Sequence, residues 1–258
     1  MASDLLSRIQ AKQIAVEGIS SDSRNAKKNF IFFAIKGVKN DGNKYIKEVL
    51  KKKPSAIVTS QKKIYKTNIP IITVKDVRKE YSTVAYNLYS HKIDNKIAVT
   101  GTNGKTSVVF FINSILNKLN NKCGIIGTLG SNFKNIQSNL TTPDSLHIAQ
   151  LLQKFYKNNY NTVAMEASSH ALDQARLYGL TYDILALTNI SHDHLDYHKN
   201  LNNYINAKLK LFIQNAKPNG ISIISKDNQY YSIISKKLKS KKIRYLTFGS
   251  KKADFQIK

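Results

Sequence analysis

Between residues 96 and 116 an apolar run, Lys96-Ile-Ala-Val-Thr100, passes through Gly101-Thr-Asn-Gly-Lys-Thr106 into a helix-like pattern, Ser107-Val-Val-Phe-Phe-Ile-Asn-Ser-Ile-Leu116. No other segment constrains the fold as tightly. A strand, a glycine turn and a helix start in that order build a phosphate cradle. The glycines let the backbone approach an anion, and the helix N-terminus aims free N–H groups at it. Lys105 is predicted to reach the terminal phosphates, and the Thr106 hydroxyl to ligate Mg²⁺. Gly101, Thr102, Asn103, Gly104, Lys105, Thr106 and Ser107 therefore form a candidate ATP-binding loop. The general pattern of such loops wants a glycine where this chain has Val99, so the loop is a shortened variant.

The 258 residues suggest two domains, on a prior of ~100–200 residues each. No apolar run approaches the roughly 20 residues of a membrane-spanning helix, and Met1-Ala-Ser-Asp-Leu-Leu lacks the pattern of a secretory signal. A single cysteine, Cys123, excludes an internal disulfide framework and a cysteine-rich zinc site. These features fit a cytoplasmic location with no membrane partner. The net charge of +25 raises the question of nucleic acid. Lysine supplies nearly all of it, since Arg8, Arg24, Arg78, Arg176 and Arg244 are the only arginines. The clusters at Lys51–Lys53 and Lys236–Lys242 lack the aromatic interleaving of a single-strand platform. The charge therefore reads as a solvated surface, without a nucleic-acid partner, whose field attracts anionic substrates.

Residues 1–92 read as a small α/β unit. Phe30–Ile35, Ala56–Thr59 and Ile69–Val74 are strand-like, and Tyr45–Lys51 and Val77–Leu88 have helical spacing. The polar stretch Ser90–Lys96 is the expected linker. Residues 93–258 then alternate strand and helix, with strands at Ile97–Thr100, Cys123–Gly127, Thr162–Glu166, Ile184–Asn189 and Ile221–Ile224. Helical patterns include Leu146–Tyr156 and Tyr204–Ala216. The alternation predicts an α/β fold with a mostly parallel sheet covered on both faces. Polar clusters at Glu166–His170, Asn189–His198 and Asp227-Asn228 follow strands and should gather at their carboxyl edge, where the phosphate loop lies.

Glu166 leaves an apolar strand, which suits a Mg²⁺ ligand beside a nucleotide, although the serines after it equally suit helix capping. His192-Asp-His-Leu-Asp-Tyr-His198 is dense in metal-capable groups. It approaches a dinuclear hydrolase pattern, with Tyr197 in the place of a final histidine. The alternative makes His194 a ligand of a second Mg²⁺ beside ATP, and only this one accounts for a phosphate loop in the same chain.

Five ordered motifs resemble those of the Mur ligases. They are Gly101–Thr106, Thr141-Thr-Pro-Asp144, Glu166-Ala-Ser-Ser-His-Ala-Leu-Asp-Gln-Ala-Arg176, Thr188–His198 and Tyr204-Ile-Asn-Ala-Lys-Leu-Lys-Leu-Phe212. Asp22-Ser-Arg24, Phe32-Phe-Ala-Ile-Lys-Gly37 and Asp41-Gly42 resemble the uridine-binding domain of the members that add the third residue of the peptidoglycan stem peptide. The resemblance implies an ATP-dependent amide ligase that phosphorylates the terminal carboxylate of a UDP-N-acetylmuramoyl dipeptide. An incoming diamino acid, meso-diaminopimelate rather than lysine, then attacks the acyl phosphate. It also implies catalytic roles for Lys105, Glu166, His194 and Lys208, the last as a carbamate. Thr106, Glu166, His194 and that carbamate would serve the Mg²⁺ ions. Ser21, Ser23, Val38, Lys39 and Asn40 would touch the uridine nucleotide. Thr141, Thr142, Ser168, Gln174 and Arg176 would hold the muramoyl dipeptide, and the chain would act as a monomer.

Two departures qualify the resemblance. Ser225-Lys-Asp-Asn228 lacks the family's asparagine before paired aspartates, and the motif of the C-terminal domain that completes the family's ATP site is expected beyond Lys258. A folylpolyglutamate-type ligase and a non-catalytic nucleotide-binding module are the competing expectations. The first should lack Asp22-Ser-Arg24.

Overall fold

The computed structural model describes residues 5, 14–37, 40–133 and 139–257. The chain divides into two compact units, Met1–Ser90 and His91–Lys258.

The first unit holds a four-stranded sheet of β1 (Gly18–Ser20), β2 (Phe30–Phe33), β3 (Ala56–Thr59) and β4 (Ile71–Thr73), in that spatial order and parallel throughout. Its central strands, Phe-Ile-Phe-Phe and Ala-Ile-Val-Thr, are almost wholly buried, as a parallel sheet covered on both faces requires. Helix α1 (Ile46–Lys51) inserts Ile46 and Val49 into a core shared with Ala26, Phe32, Ala34 and Ile57. Helix α2 (Val77–Leu88) starts where the Asp76 carboxylate accepts from the Arg78 and Lys79 N–H groups, satisfying two donors that the first turn leaves open. Tyr81 of this helix meets Phe33 edge-on, with ring centroids 5.2 Å apart.

The second unit is built on an eight-stranded sheet. Its strands are β5 (Asn95–Thr100), β6 (Cys123–Gly127), β7 (Gly130–Ser131), β8 (Thr162–Glu166), β9 (Tyr182–Leu187), β10 (Ala216–Ser225), β11 (Tyr245–Gly249) and β12 (Phe255–Gln256). Their spatial order is β12-β11-β10-β9-β5-β8-β6-β7, and only the β6–β7 hairpin is antiparallel. Ile97 and Val99 of β5 share a face with Ala164, Ile184 and Ala186, and pack beneath Val108, Val109, Ile112 and Leu116. The last four lie on α3 (Lys105–Lys118). The alternate residues Ala98, Met165 and Leu185 are buried as well, so both faces are covered. The remaining helices are α4 (Ser145–Lys157), α5 (Ser169–Asp173), α6 (Leu195–His198), α7 (Leu201–Gln214) and α8 (Tyr231–Ser240).

Strand β5 pairs with β8 on one side and β9 on the other. The chain leaves β5 toward β6 and β8 and returns across it to β9, so the strand order reverses there. Such a reversal opens a crevice at the strands' carboxyl ends. The expected strand Ile184–Asn189 ends at Leu187. Beyond it, the Asn189 backbone carbonyl accepts from Thr102 N rather than extending the sheet.

Candidate functional site

The segment after β5 forms a closely braced loop. Gly101 has φ 149°, and a Cβ on it would stand 1.9 Å from Thr188 Oγ1, so no side chain fits. Thr102 N donates to Asn189 O at 2.9 Å and Asn103 N to Asn189 Oδ1 at 3.0 Å. Gly104, at φ 82°, caps α3 without a side chain. The first-turn N–H groups of a fourteen-residue helix thus open toward the crevice. Ser107 lies on that turn, exposed.

Two lysines converge on one backbone oxygen. Lys105 Nζ donates to Gly101 O at 2.9 Å and to Thr102 O at 2.8 Å, while Lys208 Nζ donates to the same Gly101 O at 2.7 Å. Lys208 is 1% exposed, on the inward face of α7, with its Nζ 4.5 Å from the Tyr204 ring centre. Burial, with the like charge of Lys105, pushes the Lys208 ammonium well below the ordinary lysine range. Burial lowers Lys105 too, against the attraction of Glu166 and Asp193. Two lysine nitrogens thus share one carbonyl, with Lys105 the cation placed to meet an anion and Lys208 driven toward the neutral amine.

Glu166 closes the other side at the end of β8 and is 1% exposed. Its Oε2 accepts from Thr106 Oγ1 at 2.9 Å, and its Oε1 from Thr128 N at 2.7 Å. A Cβ on Gly127, at the end of β6, would lie 2.3 Å from Oε1, so a side chain there would push the Glu166 carboxylate out of this position. The Thr106 hydroxyl and Glu166 carboxylate are hard oxygen donors of the kind Mg²⁺ takes. Among the described residues no three His, Cys, Asp or Glu side chains gather into a metal-holding group. The pair therefore fits an ion held by one or two protein oxygens and completed by phosphate and water.

His194 lies by Tyr204, with ring centroids 6.3 Å apart. It caps α6 at φ 51°, and its ring lies 4.7 Å from that of His170. His198 is 5% exposed, and its Nε2 is buried without a hydrogen-bond partner among the described residues. Burial lowers both His170 and His198 from the ordinary imidazole value.

The expected dipeptide residues form one hydrogen-bonded group. Thr142 Oγ1 donates to Glu166 O at 2.8 Å and accepts from Ser168 N at 2.9 Å. Ser168 in turn caps α5. Arg176 donates to Thr142 O at 2.6 Å and to Gln174 Oε1 at 2.8 Å. Thr141 adjoins them, half-buried. Asp227 follows β10 and so reaches the same carboxyl edge, where it accepts from Ser250 N and Oγ at the end of β11.

In the first unit, Arg24 grips the Asp22 carboxylate at 2.6–3.1 Å, and Asp22 caps a short 3₁₀ turn over Ser23–Asn25. Ser23 is buried and Ser21 half-buried. Asn40 is exposed, and its carbonyl accepts from Gly37 N. Val38 and Lys39 lie outside the described residues.

The family model described as the Mur ligase middle domain matches residues 99–258, which contain all of the second unit's site. The chain belongs to the Mur ligase family. A curated relative from Rickettsia montanensis, named UDP-N-acetylmuramoyl-L-alanyl-D-glutamate--2,6-diaminopimelate ligase, is 40% identical, covering 95% of this chain and 52% of the relative. A ligase of the same name from Caldanaerobacter subterraneus is 36% identical, covering 92% and 49%. A solved structure with that enzyme name has TM-score 0.78 at 27% identity, covering 93% of this chain and 50% of the other. A MurF structure from Acinetobacter baumannii shares the fold at TM-score 0.60 and 20% identity, covering 94% and 52%. The chain spans about half the length of the curated relatives it matches.

Thr128 and Tyr204, to which the sequence assigned no role, also meet this site in the Mur ligase chain, and Asn189 arrives there as its polar cluster predicted. The Tyr204 hydroxyl lies 3.0 Å from Thr102 Oγ1 while its ring faces Lys208. A signal for Tyr204 existed: it precedes Lys208 by one helical turn, on the same face.

Proposed function

We propose that the second unit binds magnesium–ATP at Gly101–Ser107. The first unit, expected from sequence to span residues 1–92, would bind the uridine end of a UDP-N-acetylmuramoyl dipeptide. In this reading the chain belongs to a monomeric cytoplasmic ligase that adds meso-diaminopimelate during peptidoglycan synthesis. The observation that carries the reading is the convergence of Lys105 and Lys208 on Gly101 O, opposite the Thr106–Glu166 oxygen pair. The enzyme name shared by the relatives supports the choice of amino acid.

A triphosphate would draw the Lys105 ammonium off the Gly101 and Thr102 carbonyls, and the loop N–H groups would take up phosphate oxygens. Thr106 and Glu166 would hold Mg²⁺, and Glu166 and His194 would serve a second ion. Bound there, Mg²⁺ would supply neutralisation of phosphate charge for transfer of the γ-phosphoryl group to the dipeptide's carboxylate. A carboxylate is a poor electrophile; the acyl phosphate supplies the leaving group that lets the amine form an amide. Thr141, Thr142, Ser168, Gln174 and Arg176 would fix the dipeptide so that this carboxylate faces the nucleotide. Ser21, Ser23, Val38, Lys39 and Asn40 would hold the uridine end.

Burial and the like charge of Lys105 favour the free amine of Lys208. That amine would add to CO₂ and release a proton, giving a carbamate whose negative charge would suit a metal ligand.

Phosphate release from ATP that depends on both UDP-muramoyl dipeptide and diaminopimelate tests the reading. Dependence on both supports ligation; ATP uptake with no such release under any combination contradicts it.

A further inference from the structure

Five side chains link α7 to the Thr141–Thr142 loop through one continuous series of hydrogen bonds. Lys210 Nζ donates to Asp173 Oδ1 at 2.7 Å, and Tyr197 Oη donates to Asp173 Oδ2 at 3.1 Å. Gln174 Nε2 donates to Tyr197 Oη at 3.4 Å, and Arg176 bridges Gln174 Oε1 and Thr142 O. The segments joined are α5, the turn that follows His194, and α7 with Lys208.

The series has a direction. A carboxylate only accepts, so Asp173 draws the Tyr197 proton toward itself. The phenol oxygen then offers its lone pairs to the Gln174 amide nitrogen. That turns the Gln174 carbonyl toward Arg176 and fixes one edge of the guanidinium. Burial opposes the charge on Asp173, but the Lys210 and Tyr197 hydrogen bonds outweigh it and hold its carboxyl below the usual aspartate value. Tyr197 also lies against His170, with ring centroids 4.3 Å apart, so one side chain braces both the imidazole and the amide.

We infer that Asp173 is a positioning residue for the substrate-carboxylate grip: acting through Tyr197 and Gln174, it sets the orientation of Arg176 toward an anionic substrate group. This rests on the proposed assignment of Arg176 to the muramoyl dipeptide. Asp173 and Lys210 are 40% and 34% exposed, so their ion pair adds little to stability. What the series supplies is direction for a bidentate donor whose value depends on angle.

The test measures calorimetric affinity of the whole chain for UDP-muramoyl dipeptide and, separately, for magnesium–ATP. Asp173→Asn should weaken dipeptide binding about tenfold, and Tyr197→Phe, which keeps the ring against His170, about threefold, both within the range of coupled side chains. Affinity for magnesium–ATP should stay within about twofold of wild type. In an Arg176→Lys background, where the fork is already lost, Asp173→Asn should add nothing. Wild-type dipeptide affinity in both single variants overturns the inference alone. So does an undiminished loss in the Arg176→Lys background, or an equal loss of nucleotide affinity. A wild-type chain that takes up ATP but no dipeptide overturns the substrate reading, and this inference with it.

Discussion

Gly101 is the residue on which the loop's shape turns. Replacing it with alanine sets a Cβ against Thr188 Oγ1 at a φ that side chains rarely adopt. Gly101→Ala should therefore lose roughly 1–3 kcal/mol of stability, read as a lowered midpoint in thermal unfolding, together with most nucleotide affinity. An unchanged midpoint would show that the loop has slack the structure does not suggest. Lys208→Ala removes the buried amine yet leaves Gly101 O partnered by Lys105. Ligation by the enzyme should collapse, and added bicarbonate should not restore it, because no amine remains to react with CO₂. A wild-type rate would remove Lys208 from the mechanism. At this scale the contiguous loop was legible in sequence, since its chemistry lies within seven neighbouring residues. Tyr204 and Thr128 were not singled out. Tyr204 meets Thr102 from 102 positions away, and Thr128 meets Glu166 from 38. Only the folded sheet edge brings such pairs together.

Among the elements, α4 carries a pH-sensitive cap directly after the Thr141–Thr142 loop. Asp144 accepts from Leu146 N and His147 N, and its Oδ2 lies 2.5 Å from His147 Nδ1. The Asp144 hydrogen bond, opposed by burial, raises His147 above 6.5. Burial pushes Asp144 up, but its bonds to His147 outweigh this and hold it below 3.8. The raised histidine stabilises the fold fully below pH 6.5, and this is lost as pH rises through its folded value. The lowered aspartate stabilises the fold above pH 3.8, and this is lost as pH falls through its folded value. The pair is thus strongest from pH 3.8 to 6.5. Both groups are partly exposed and screened, so the effect should stay within about 1 kcal/mol. The melting-temperature difference between wild type and His147→Ala should be larger at pH 6 than at pH 8. A difference independent of pH would dismiss the pair.

Elements with a clear local pattern were legible: β3, β6 and β8 as short strand-like runs and α2 by its helical spacing lie where the pattern predicts. Strand β10 runs over Ala216–Ser225, beyond the expected Ile221–Ile224, because Pro218 and Gly220 read as breakers. Its register shifts between Ala216 and Ile221, and the sheet absorbs both residues there. Strands β1, β7 and β12 are two or three residues long, too short to carry a period. Lysine-rich α8 gave only a charge cluster to read.

Taken whole, the chain carries a net charge of +25, and its second unit brings the Lys105 and Lys208 nitrogens onto one backbone carbonyl. Association with an anionic nucleotide should therefore be fast at low salt. It should slow severalfold as ionic strength approaches about 0.15 M, where the Debye length is about 8 Å. Stopped-flow association rates that ignore salt would confine the attraction to the loop itself. The phosphate-binding role of Gly101–Ser107 is tested most directly by calorimetric titration of the wild-type chain and of Lys105→Ala with magnesium–ATP. Saturable uptake at one site by wild type, weakened at least tenfold in Lys105→Ala (about 1.4 kcal/mol or more), is the expected result. No uptake by correctly folded wild-type protein, or equal affinity in the variant, contradicts it.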